Sequence, residues 1–140
     1  MKSPQLDDVI SQIYEAPLNM SAWADALTSI TYLIQASGGA QFHLWHAAEQ
    51  RMLYTCTPTW VDASKAAFEK EYNERYAATD PRRQMVGPEA VGVWKFDQDH
   101  FDQRFMSRSE IYQALRRYDM AYTAGVKLLE AGPVLSLIHI

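Results

Sequence analysis

Cysteine occurs once in the 140 residues, at Cys56. One thiol forms no intrachain disulfide and no cysteine-based zinc site, and it fits a reducing compartment. Basic charge is scarce too: 13 Lys and Arg face 17 Asp and Glu, a formal net charge of −4. That balance excludes the basic face with which a nucleic-acid module meets phosphate. No apolar run approaches the ~20 residues that cross a bilayer. The stretch Met1-Lys2-Ser3-Pro4-Gln5-Leu6-Asp7-Asp8 has neither the basic nor the apolar region of a signal peptide. A cytoplasmic protein with no membrane partner is expected. The local signatures G-x-S-x-G, H-E-x-x-H, P-loop and dinucleotide fingerprint are all missing. The sequence therefore predicts no catalytic residue, no cofactor and no metal, and reads as a non-enzyme.

Apolar residues are plentiful, at 48% of the chain. That suffices for one domain with its own core. Leu6, Val9, Ile10, Ile13 and Tyr14 recur at helical spacing until Pro17 closes the segment. A second helix begins after Asn19 or Ser21, carries Trp23, Leu27, Ile30 and Ile34, and stops at Ser37-Gly38-Gly39. The period then changes, so that 41–46 and 52–57 read as an antiparallel hairpin around a turn at 47–51. A long helix follows from near Asp62 to about Ala78, with Glu71 and Arg75 as an i,i+4 pair, and Asp80-Pro81 ends it. After a polar loop, 90–96 reads as a third strand. Ser107-x-x-Glu110 reads as a capping box for the helix of Ile111, Leu115 and Tyr118, and 121–130 as a fourth strand. The order α-α-β-β-α-β-α-β predicts an α+β fold, an antiparallel sheet with helices packed on its faces.

Phe68 and Tyr72 stand one helical turn apart on one face. They line a cavity or pack in the core; aromatic side chains do both. Asp80 takes a donor from a ligand or caps the turn beside Pro81. Trp94 near a strand end closes a pocket or fills the interior. With Tyr54 and Phe42 on the hairpin, these six are the candidate ligand-binding residues. His43 and His46 point to opposite faces of a strand, which argues against a shared metal, and His43 shares its face with Trp45. Asp97-x-Asp99-His100-x-Asp102 imitates a calcium loop but lacks the Gly at its sixth position and the Glu at its twelfth. It reads as a solvated acidic loop. Cys56 reads as a buried structural thiol. The pairs Arg82-Arg83 and Arg116-Arg117 read as serving solubility or ion pairing rather than phosphate binding.

Three short pieces in fixed order carry a resemblance: Trp23 with Leu27, Tyr72 with Tyr76 and Asp80-Pro81, and Arg108-Ser109-Glu110-Ile111-Tyr112 followed by Leu115-Arg116-Arg117-Tyr118. Together, from about Ile13 to Gly132, they resemble the N-terminal sensory domain of LuxR-type transcriptional regulators. The resemblance implies a PAS- or GAF-like α-β-α domain that senses a small amphipathic molecule or mediates dimerisation. Such a domain reaches DNA only through a C-terminal helix-turn-helix, which this chain lacks. The narrower likeness is to acyl-homoserine-lactone receptors, whose pocket uses aromatic, Tyr, Asp and Trp positions around a similar Asp-Pro. Phe68 stands where that subfamily usually has Trp, and the step from Tyr72 to Asp80 is one residue short. A dimerisation domain without ligand is the remaining alternative, and a homodimer is an expected partner.

The last six residues, Leu135-Ser136-Leu137-Ile138-His139-Ile140, match the translation of a common transposon sequencing adapter. The sequence is therefore expected to comprise one sensory domain over 1–134, incomplete at its C-terminus, and a non-native tail over 135–140. On this expectation the last strands are missing and the fourth strand presents a bare edge.

Overall fold

The computed structural model of the chain describes residues 5–19 and 21–140. Met1 to Pro4, the head of the stretch tested above for a leader, lie outside the described residues.

The early apolar spacing forms α1 (Leu6–Glu15). Pro17, which cannot donate an N–H, falls in a short 3-10 turn, Ala16–Leu18. The stripe of Trp23 and Leu27 forms α2 (Ala22–Ile34), which ends with Gln35 in the left-handed conformation. The hairpin follows as β1 (Gln41–His46) and β2 (Arg51–Cys56). The long helix is α3 (Asp62–Glu71), continued by a π-turn at Tyr72–Tyr76 in which the Ala77 N–H donates to the Tyr72 carbonyl at 2.8 Å. Then come α4 (Pro81–Val86), β3 (Trp94–Phe96), α5 (Asp97–His100), α6 (Gln103–Arg108) and α7 (Glu110–Arg116). The chain closes with β4 (Ala124–Ala131) and β5 (Val134–His139).

The five strands form one antiparallel sheet in the order β2-β1-β5-β4-β3. Helices cover both faces, so the α+β expectation holds. Strand alternation sorts the core into two clusters. On one face Trp23 and Leu27 of α2 pack against Phe42, Cys56, Val126 and Ile138. On the other, Trp45, Met52, Leu135 and Leu137 meet Phe68, Tyr72, Met106, Tyr112 and Leu115 from the later helices.

Four local expectations need correction. The loop after Asp80-Pro81 is helical, because Asp80 accepts from the Arg82 N–H at 3.0 Å and Pro81 sits at the first helical position. The strand expected over 90–96 shortens to three residues, since Gly92 turns the chain at φ +85°. Ser107 does not open the next helix. It lies inside α6, whose cap is Asp102 accepting from the Phe105 N–H at 2.7 Å, and Ser109 precedes α7. Asp97 is not part of a solvated loop: it is fully buried and accepts from the Thr123 N–H and hydroxyl at 3.0 and 2.7 Å, which ties α5 to the start of β4.

The largest difference is at the C-terminus. Residues 135–139, expected outside the domain, join Val134 in the middle strand, pairing with β1 on one side and β4 on the other. The alternation of Leu135 and Leu137 toward one face with Ile138 toward the other suits a strand covered on both sides. The fourth strand therefore has no bare edge.

A cavity beneath the aromatic helix as the candidate functional site

The helical face of the sheet is not filled. A cavity of about 450 Å³ lies between β1, β5 and the segment running from α3 to α4. Trp45, Met52, Leu135 and Leu137 rise from the sheet, and Phe68, Tyr72 and Ala77 descend from the helices. The exposed residues Ala47, Gln50, Gln84, Pro88 and Gly132 mark its mouth, where two hairpin turns meet α4. The size falls within the roughly 300–1,000 Å³ of small-molecule sites, and the mixture of apolar walls with a few polar groups is typical of them.

Two β-bulges shape this wall. The β1–β2 register shifts between Leu44 and Trp45 and leaves Leu53 as the extra residue. Met52 thereby joins Thr55 on the cavity side, three positions away, where a regular strand would set them on opposite faces. A second shift between Lys127 and Leu129 leaves Leu128 extra and brings Glu130 beside Lys127.

Of the six candidate residues, Phe68, Tyr72 and Asp80 line the cavity. The other three lie across the sheet. Phe42 stacks on Trp23 with ring centroids 4.4 Å apart and planes at 13°, and Tyr54 stands beside Phe42. Trp94 is 41% exposed, pairs with Val126, and borders a shallow surface groove with Ile34, Phe96 and Tyr122. Strand parity is the reason: Phe42 and Tyr54 share the α2 face, whereas Gln41, His43 and Trp45 share the cavity face. The Trp45 and His43 pairing noted in the sequence was thus the cavity's own floor.

Asp80 is the hub of the polar end. Its Oδ2 accepts from the Tyr72 hydroxyl at 2.7 Å and from Arg82 Nη2 at 2.8 Å, while Oδ1 accepts from the Arg82 N–H and Nε, each at 3.0 Å. Burial works against its charge, yet the Arg82 guanidinium and these bonds hold the carboxyl well below its usual range. Burial likewise opposes the Arg82 charge, and Asp80 more than offsets it, so Arg82 stays cationic. The Tyr72 phenol is pushed up by burial and then by the neighbouring carboxylate, and so keeps its proton.

Arg83, one residue on, is placed differently. Its guanidinium lies over the Trp45 ring, and Nη2 donates to the Tyr72 oxygen at 2.5 Å. Nε and Nη1 are buried without an acceptor among the described residues. Burial lowers its pKa to about 10, with Tyr72 and Asp80 working the other way, which leaves it charged at neutral pH.

Two histidines share this end, their rings 5.3 Å apart and edge to face. His43 contacts Thr55 Oγ1 at 2.5 Å and Gln41 Oε1 at 3.1 Å. Burial, then His139 and the arginines, holds His43 well below its ordinary pKa. His139 is lowered to about 3 by burial and then by Arg82. Both are neutral at pH 7. Sequence reading missed Arg83, Met52 and the β5 residues; the signal for Arg83 was its place in the first turn after an Asp-Pro helix start.

No family model, no curated protein and no solved structure matches the chain. No described helix is long and apolar enough to cross a membrane.

Proposed function

We propose that this chain is a ligand-sensing regulatory domain of the LuxR type, which binds a small amphipathic molecule and controls a helix-turn-helix carried outside it. The single observation that carries this reading is the cavity under Phe68 and Tyr72, apolar along its walls and polar at one end. The sheet, covered by helices on both faces, agrees with the α-β-α layering that the sequence resemblance implies. A guest there joins the sheet to α3 and α4, so occupancy stabilises one arrangement of these elements over another. Control of a distant module follows only if the two arrangements differ in affinity for the guest. The DNA contact belongs to that module, and this domain reaches DNA only through it. Thermal denaturation against a metabolite panel that includes acyl-homoserine lactones tests the reading. At least one member should raise Tm in proportion to its concentration; a panel without any stabilising compound would oppose it.

The acyl-homoserine-lactone version is the weaker form. Its amide N–H needs a free carboxylate acceptor, and the Asp80 oxygens are already taken up by Arg82 and Tyr72. A second reading, pairing of two copies, draws on exposed apolar residues of α1: Leu6, Ile10 and Tyr14. Sedimentation equilibrium tests it. Tyr14→Glu should weaken any dimer, and a chain that is monomeric at high concentration would remove it.

A further inference from the structure

Charge balance around the cavity singles out one residue. Arg82 is matched by Asp80 at 2.8 Å. Lys127, 3% exposed, is matched by Glu130 at 2.9 Å and also donates to the Gly87 carbonyl at 2.7 Å. Both histidines are uncharged. Among the described residues Arg83 has no carboxylate of its own: its one bond goes to the Tyr72 oxygen, whose proton is committed to Asp80. Arg83 is half-buried, with Nε and Nη1 out of reach of water, and a cation drawn from water without a counter-ion is costly. Here it lines a cavity with Trp45, Phe68 and Leu137 on its apolar side and Asp80, Arg82 and the two histidines at its polar end.

We propose that the guest of this cavity is an amphipathic organic carboxylate, its anionic head beside the Arg83 guanidinium and its apolar body against Trp45, Phe68 and Leu137. This rests on the sensing reading above and narrows it from any amphipathic molecule to an anion. The anion supplies the missing counter-charge to a guanidinium that lines the cavity, and guanidinium groups pair with carboxylates through charge-assisted hydrogen bonds. The apolar walls exclude a small, fully hydrated anion such as acetate as a strong ligand, because they offer it nothing for its lost water. A neutral lactone leaves Arg83 as it is, without a counter-ion.

The test uses matched pairs: decanoate and decanamide, 2-naphthylacetate and its primary amide, with N-decanoyl-homoserine lactone as the neutral reference. Affinities are read by calorimetry on the full chain. Each acid should bind at least about tenfold more tightly than its amide, the scale of one charge-assisted hydrogen bond. In Arg83→Met that preference should disappear, and Arg83→Lys, which keeps the charge, should retain part of it. Amides or the lactone binding as tightly as the acids would overturn the anion assignment while leaving the sensing reading intact. No binding by any of the five would remove both. An acid preference unchanged in Arg83→Met would show that another group holds the head. Should the Met variant not fold, the wild-type acid-to-amide ratio and the Lys variant decide the matter.

Discussion

The two faces of the sheet are built to different rules. Toward α2, side chains interlock: Leu27 is fully buried and Trp23 lies flat on Phe42. Toward α3 and α4 the sheet meets a void, a buried ion pair, an unmatched arginine and two neutral histidines. A close-packed interior is the ordinary outcome of folding. A face that departs from it in both packing and charge sacrifices stability, which is the usual mark of a site built for a ligand. On the proposed reading one face serves as scaffold and the other as receptor.

The sharpest way to break this contrast is at the ion pair. Asp80→Ala leaves Arg82 charged and buried, and should cost about 3–5 kcal/mol in urea denaturation. The Asp80→Ala/Arg82→Met double variant should recover most of that loss. An additive double variant would mean that the two side chains do not act as a pair.

Truncation on the two faces gives the next contrast. Leu27→Ala opens a hole in a filled layer and should cost about 3–5 kcal/mol, whereas Met52→Ala, beside an existing void, should cost about 2 kcal/mol. Equal losses would argue that the cavity face is packed as tightly as the scaffold.

Acid should weaken the cavity face first. A histidine in the unfolded chain takes a proton near pH 6.5, but His139 resists until about 3 and His43 until well below its ordinary value. The unfolded state therefore binds more protons across this window. The stabilisation from the two neutral rings is complete above about pH 6.5 and is lost as pH falls, by up to about 1.4 kcal/mol per pH unit for each ring. His43→Gln should halve the slope between pH 6.5 and 5. The depressed Asp80 adds its own loss only below about pH 4.

The smallest effect concerns a residue that the sequence put in the site. Trp94 is half out of the protein and across the sheet. Trp94→Ala should change stability by no more than about 1 kcal/mol and leave ligand affinity unaltered. A large loss of binding would return it to the site.

These contrasts also explain what could be read from the sequence. The elements that announce themselves by long periodicity, α1, α2, α3 and the β1–β2 hairpin, stand where apolar spacing placed them. So does the aromatic helix with Phe68 and Tyr72 over the cavity, because an i,i+4 pair fixes a common face without help from the rest of the chain. Phe42, Tyr54 and Trp94 were misplaced for a definite reason. A sheet covered on both faces carries apolar residues on both faces of its inner strands, so alternation gives two faces but does not say which one meets a given helix. The bulges at Leu53 and Leu128 were equally hidden, since an extra residue in a strand leaves no mark in the apolar pattern. The short helices α5 and α6 hold too few turns to show a period. β5 was set aside for the origin its letters suggest, although its alternation is that of a buried strand.

The most direct test fills the void. Met52→Trp brings an indole into the cavity. A close-packed core would lose about 1–3 kcal/mol or more to such overpacking. The expected result is stability within about 1 kcal/mol of the wild type, together with loss of any ligand-induced rise in Tm. A variant that unfolds many degrees early, or one that still responds to ligand as the wild type does, would contradict a receptor chamber beneath the aromatic helix.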